Sequence, residues 1–188
     1  HGLITLNEVR NNAISQAKPS SIEKFIQELT WRDYWQNYAK AHPELLWRDA
    51  EPYKTGFQAS AYADHLPDDI ATGKPPSAAI NYLITELYQT GYLHNHARMY
   101  LASYLIHFRR IKWQVGASWF LALLIDGDVA SNNFSWQWVA STFSNRPYIF
   151  NLENLAKYAS DKIDVSQENN QPLAKSYEEL KQILFPNL

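Results

Sequence analysis

Apolar positions recur every three or four residues along most of this chain, and nowhere do they alternate long enough to suggest a strand. Leu3, Leu6 and Val9 open with helical spacing, which predicts a turn entering a short helix, with a polar connector over 11–19. Ser20 and Glu23 then stand in capping-box spacing. Ile22, Phe25, Ile26 and Leu29 form an apolar stripe behind them, thickened by Trp31, Tyr34, Trp35 and Tyr38, and Pro43 predicts a stop near 41–42. Over 45–76 the period is lost. Prolines and glycines there predict a long loop with short helical turns, a length that usually serves a function or wraps a neighbouring surface. Ser77 caps a clear helix carrying Ile80, Leu83, Ile84 and Leu87, closed by Gly91. Further helices are predicted over 93–109, with Met99, Ala102, Leu105 and Ile106 on one face, and over 114–125 and 131–142. A linker at 146–150 precedes a short helix capped by Asn151 and running through Tyr158. A polar loop at 161–172 leads to a terminal amphipathic helix over 175–184. The reading is a single all-α domain over 1–188, with 161–188 as a variable C-terminal extension.

Composition narrows the function classes. At 188 residues the chain can bury one sizeable core, and 46% hydrophobic residues make it globular rather than disordered. A net charge of -2 argues against a general nucleic-acid coat or a polybasic membrane binder, while leaving room for a local basic face. Without cysteine there are no disulfides, thiolate metal sites, thiol nucleophiles or iron–sulfur clusters. The nearly apolar run at 115–125 is far short of the roughly 18 residues of a membrane span. No signal peptide is seen, and a cytoplasmic location is expected. The first residue is His1, which suggests a processed or trimmed piece.

The densest chemistry lies at 125–141, IDGDVASNNFSWQWVAS, with two acids, two adjacent amides and two tryptophans. It reads either as an Asp-Gly turn entering a helix with an aromatic core face, or as one wall of a site for a planar ligand. Arg98 and Asp126 are a candidate ion pair that could face the edge of a heteroaromatic ring, or a structural salt bridge. Asn95 and Asn132 begin adjacent helices. Their amides suit a ring edge that changes protonation, though N-capping is the commoner use of Asn. Trp31, Trp136, Trp138 and Met99 could line an apolar slot or simply pack a core. Glu28, if recessed against that slot, would stay protonated and donate a hydrogen bond. His94 and His96 are two apart, not the four that two metal ligands on one helix need, so no metal site is expected. No Gly-rich dinucleotide or phosphate-loop motif is present.

Three segments in order, Glu28-Leu-Thr-Trp31-Arg32-Asp33, Gly91-Tyr-Leu-His94-Asn95-His-Ala-Arg98-Met99 and Asp126-Gly-Asp128-Val-Ala-Ser-Asn132-Asn133-Phe-Ser-Trp136-Gln-Trp138, closely resemble the helical FAD-binding domain of the cryptochrome/DNA photolyase family. The likeness runs over about 1–160. It implies an FAD folded into a central cavity, with Asn95, Arg98, Asp126, Asp128 and Asn132 round its ring and ribityl groups. Asn132 would face the reactive flavin nitrogen, and Arg32 would stand near the cofactor and a DNA-facing mouth. Glu28, Trp31, Asn95, Met99 and Trp138 match the lining of the pyrimidine-dimer pocket. Trp136 and Trp113 match the inner two members of the tryptophan chain that photoreduces the flavin. The sequence also departs from the family pattern. His1-Gly-Leu-Ile-Thr looks like the tail of a segment that follows the Ser/Thr-rich pyrophosphate-binding stretch, and neither that stretch nor the α/β domain of longer relatives is in this sequence. The outermost tryptophan is replaced near Ser60, where Tyr53, Phe57 and Tyr62 are the nearby aromatics. His96 stands where dimer-repairing relatives often have arginine. Two functions follow from the resemblance. One is a light-driven repair lyase acting on damaged DNA. The other is a cryptochrome-like photosensor or redox module that acts through a protein partner and repairs nothing. Either could need a missing N-terminal segment, an α/β domain or a partner subunit.

Overall fold

Helices and turns carry the whole backbone in the computed structural model, which describes residues 4–158 and 161–188; no strand forms among them. Helix α1 (Leu6–Gln16) starts at a capping box in which the Thr5 hydroxyl accepts from Glu8 N–H and the Glu8 carboxylate accepts from Thr5 N–H. It occupies most of the stretch expected to be a polar connector. The polar residues are tolerated because α1 buries none of its residues fully. His1, Gly2 and Leu3 of the predicted opening turn and segment tail, and Ser160 at the limit of the resemblance, lie outside the described residues. Helix α2 (Pro19–Ala41) starts one residue before the expected Ser20 cap, and Ser20 and Glu23 form no box. Instead Pro19 sets the first helical φ behind Lys18.

The loop over 45–76 holds 3₁₀ turns at Pro43–Leu46 and Ala59–Ala61 and the single-turn helix α3 (Asp68–Ala71). Helix α4 (Ala78–Thr90) buries Ala79, Ile80, Leu83, Ile84 and Leu87, the stripe read from the sequence. Ser77 caps it, and Gly91 ends it at φ +64°. The helix expected over 93–109 divides. Helix α5 (Asn95–Ser103) passes into a π-turn, Tyr104–Phe108, in which Arg109 N–H reaches back to Tyr104 O. Tertiary pairing fixes this exit. Arg109 forks onto both oxygens of Asp69 at 2.6 and 3.0 Å, and Ile111 bridges Ala63 of the loop.

Helix α6 (Trp113–Leu123) and helix α7 (Val129–Ala140) pack against each other in the core. Asp128, not a residue near Ser131, caps α7, so it begins two residues earlier than its apolar pattern suggests. Asn151 caps helix α8 (Leu152–Tyr158) by accepting from Asn154 N–H, and Ser176 with Glu179 boxes the start of helix α9 (Tyr177–Leu184). Leu180, Leu184 and Phe185 pack on Phe108 and Ile149, so the C-terminal stretch covers the π-turn. No helix among the described residues is long and apolar enough to cross a membrane.

Close approach of α6 to α7 depends on Gly116. A Cβ there would collide with the six-membered ring of Trp136, which is buried and cannot swing away. Gly116→Ala is therefore predicted to cost about 1–3 kcal/mol through overpacking. Urea unfolding checks this, and an unchanged midpoint would show that the helix pair has room to spare.

Candidate functional site

Two turns clasped together set up the polar residues. Ile125 N–H donates to Gly91 O at 2.9 Å, joining the turn before α5 to the turn before α7. Only glycine suits that place, since φ is +64° and a Cβ would press on Ile125 Cγ2 and Leu123 O. Arg98, one turn into α5, then reaches across. Its Nη2 donates to Asp126 Oδ2 at 2.7 Å, its Nε donates to Leu93 O at 2.8 Å, and its guanidinium carbon lies 5.3 Å from the Tyr92 ring centroid. The expected ion pair forms, with its orientation fixed from three sides. Asn95 lies three residues before Arg98 on the same helix face, exposed, with its amide in no hydrogen bond among the described residues. Asn132 is braced from behind. Its Nδ2 donates to Ala117 O at 3.1 Å and to Asn133 Oδ1 at 2.9 Å, leaving Oδ1 free to accept. Neither asparagine caps its helix, as His94 and Asp128 take those positions.

Asp128 has a different task. It caps α7 through Ser131 N–H at 3.0 Å, accepts from Gln36 Nε2 at 3.1 Å, and faces the Arg32 guanidinium at 3.7 Å. Burial pushes its carboxyl up, but the Ser131, Gln36 and Arg32 interactions together outweigh that and hold it below the ordinary carboxylate value. This carboxylate thus fastens α2 to the start of α7.

The aromatic candidates separate by depth. Trp136 is in the core, edge-on to Phe120 at 4.9 Å, and Trp113 is fully buried with its indole N–H on Asp49 at 2.6 Å. Trp31 and Trp138 are 54% and 42% exposed, the first against Trp35 and Tyr34, the second against Tyr148. Trp31 and Trp138 thus stand at the surface and Trp136 in the core, and no ring contact joins any two of the three among the described residues. Met99 is partly buried on α5. Glu28 is not recessed. Its side chain is half exposed and pairs with Lys24 at 2.9 Å. His94, His96 and Tyr158 stack in parallel, and no group of three metal-ligating side chains occurs among the described residues. Of the outer aromatics, Tyr53 and Tyr62 stack at 4.3 Å, whereas Phe57 lies under the Arg110 guanidinium at 3.5 Å.

Residues 25–168 match the model of a family described as the FAD binding domain of DNA photolyase. The chain belongs to the DNA photolyase/cryptochrome family. Every candidate residue from Glu28 to Trp138 falls inside the matched range, and α1 precedes it. Among curated photolyase-family relatives, the deoxyribodipyrimidine photo-lyase of Streptomyces griseus is 37% identical over 120 residues, 64% of this chain and 26% of that protein. That of Escherichia coli K12 is 33% identical over 131 residues, covering 69% and 28% respectively. The chain thus spans between a quarter and a third of the length of these relatives. Two solved structures share the fold. An archaeal photolyase from Sulfolobus tokodaii, crystallised with two FAD molecules, superposes with a TM-score of 0.68 at 22% identity, covering 98% of this chain and 41% of that one. A Synechocystis cryptochrome gives 0.64 at 24% identity, covering 96% and 37%.

Within this photolyase-family domain the structure gives roles to Gln36, Gln137 and Asp49, which sequence reasoning passed over, and a partner to Asn133, which it noted only as one of two adjacent amides. Gln36 holds Asp128, Asn133 and Gln137 tie α7 to the 45–76 loop, and Asp49 receives Trp113. Gln137 sits between two singled-out tryptophans and Asn133 beside a singled-out asparagine. Asp49 lies in the aperiodic loop and gave no signal at all.

A carboxyl held low in the folded state adds stability that is complete above the unfolded value of about 4 and is lost as pH falls through the lower folded value. Asp128→Asn, which can still cap, should therefore cost about 1 kcal/mol at pH 7. Its gap from the wild type should narrow below about pH 4. Urea midpoints at pH 7, 5 and 3 measure this, and a gap constant across the series would remove Asp128 from the acid response.

Proposed function

We propose that this domain binds FAD and takes part in light-driven electron transfer to a flipped-out pyrimidine dimer in damaged DNA. The observation that carries the reading is the Arg98–Asp126 pair, held at 2.7 Å, with α7, which follows Asp126, carrying Asn132 and its unspent carbonyl. A fixed cation, a fixed anion and an amide fit the edge of a flat ring that carries both donors and acceptors. The amide matches either protonation state of a ring nitrogen. Arg98 and Asp126 would orient the ring edge, Asn132 would face its reactive nitrogen, Asn95 would close the same side, and Asp128 with Arg32 would line the approach. FAD, when bound, supplies the light absorption and one-electron chemistry. The chain's own residues supply electrons and hold the substrate. Trp136 and Trp113 are buried indoles suited to electron supply. Trp31 and Trp138 keep open ring faces on which extruded bases can stack, worth ~1–3 kcal/mol per base. Met99 would add an apolar wall, and Glu28 would hydrogen-bond the lesion once released from Lys24. No described residue is assigned to the cofactor's phosphates. A further segment, an α/β domain or a partner subunit that holds them is part of this proposal.

One observation favours a second reading, a cryptochrome-like light or redox sensor that acts through a protein partner. The half-exposed Glu28 is engaged with Lys24 rather than aimed at a lesion.

Purified protein is expected to show flavin absorption bands, alone or after FAD addition. Asp126→Ala, which leaves Arg98 without its anion, should weaken FAD binding about tenfold, the factor given by ~1.4 kcal/mol. The reduced, illuminated holoprotein is expected to split dimers in single-stranded DNA. Flavin bound with dimers left intact would transfer the assignment to the sensor, and no flavin uptake at high FAD would overturn both readings.

A further inference from the structure

Trp113 is fully buried, yet its only polar side-chain atom does not go to an ordinary carbonyl. Its Nε1–H donates to Asp49 Oδ1 at 2.6 Å. Gln114, the next residue on α6, donates Nε2–H to the same oxygen at 3.0 Å. The stretch bearing Asp49 is pinned in place. Ala50 N–H donates to Gln137 Oε1 and Glu51 N–H to Thr142 O, both at 3.0 Å. On the other side Trp113 N–H reaches the Tyr53 hydroxyl at 3.5 Å. Burial, and then the Asp49 charge, hold the Tyr53 phenol well above its ordinary value. A neutral indole is satisfied by any carbonyl, so a pinned carboxylate is more than hydrogen-bond satisfaction requires. What a carboxylate adds is stabilisation of positive charge on the ring, and a place for its proton.

We propose that Asp49 is a positioning residue for electron supply, the counter-ion and proton acceptor of Trp113 once that indole has given up an electron. The proposal rests on the flavin reading above. Trp113 loses one electron by way of Trp136 to the photoexcited flavin, which is the oxidant. The indole left behind is a radical cation with a strongly acidic N–H. That bond breaks and an O–H bond forms on Asp49 Oδ1, with the N–H electron pair staying on nitrogen. The products on the protein are a neutral indolyl radical and a protonated Asp49. Charge recombination then needs the proton to come back, which lengthens the life of the separated state. The same geometry ranks the groups beyond Trp113. Tyr53, at the Trp113 amide and stacked on Tyr62, is placed to receive the hole, whereas Phe57 under the Arg110 cation is disfavoured from losing an electron.

Asp49→Asn keeps an acceptor oxygen and removes the charge, and Trp113→Phe is the control that removes the donor. In flavin-free protein labelled with ¹⁵N-tryptophan, the Trp113 indole proton should resonate far downfield in the wild type and move upfield in Asp49→Asn, with the other six indole signals unmoved. Flash photolysis of the flavin-loaded protein should show a neutral tryptophan radical whose formation slows in D₂O. In Asp49→Asn the radical should stay cationic and recombine about tenfold faster, the ratio expected for exchanging a charged for a neutral acceptor. Neutral radical, isotope effect and lifetime all unchanged in Asp49→Asn would overturn the role of Asp49 alone. A wild type that binds flavin but forms no tryptophan radical on illumination would overturn the electron-supply reading and this one together.

Discussion

Two buried amides on α7 make the rest of the arrangement possible. Asn133 and Gln137 are fully buried and donate to the main-chain carbonyls of Leu46 and Leu45 at 2.7 Å each, while Gln137 accepts in return from Ala50. The long segment after α2 has almost no regular structure to satisfy its own backbone, and buried peptide groups without partners are costly. These side chains supply the partners a sheet or helix would otherwise provide. The same edge of α7 serves the candidate site, because Asn133 also holds Asn132, whose second bond runs to α6. One polar edge of one helix therefore fixes a loop, a neighbouring helix and the amide facing the proposed flavin. Elsewhere on α7 rings make the contacts to neighbouring helices, with Phe134 meeting Trp35 and Tyr38 of α2 and Trp136 meeting Phe120 of α6.

The two aspartates of the Asp-Gly-Asp turn illustrate how a dense motif divides by environment. Asp126 keeps one bond, to Arg98, and stays nearly half exposed, so its second oxygen is available to a ligand. Asp128 is more enclosed and spends itself on a helix start, on Gln36 and on Arg32. The first keeps an oxygen toward solvent, and the second fastens α2 to the start of α7.

Helical periodicity made α4 readable, because its apolar stripe is long and its ends carry Ser77 and Gly91, while α7 was found from its composition with its start placed two residues late. It failed at 11–19, where a polar helix buries nothing and so leaves no stripe, and at 104–108, where pairing of Arg109 and Ile111 with distant residues sets a five-residue turn that no local pattern encodes. The site was legible where chemistry is concentrated in sequence. Arg98 with Asp126 is a pairing that cost-of-burial reasoning alone suggests. The depth of each tryptophan was not legible, since Trp136 and Trp138 are two residues apart on one helix and differ only in which side meets α6. Asp49 was invisible for the opposite reason, being an acid in a loop with its partner 64 residues away.

Neither α1 nor α2 buries a single residue fully, although together they span more than thirty positions. Regions so lightly packed open at free energies well below that of the whole fold. Such a sub-global opening would carry away Arg32 and Gln36, which ride on α2, while Arg98, Asp126 and Asn132 stay with the core helices. Amide exchange would follow that order, fastest in the two-helix arm and slowest in α4 and α6. The candidate side chains thus divide between α2, which carries Arg32 and Gln36, and the core segments that carry Arg98, Asp126 and Asn132.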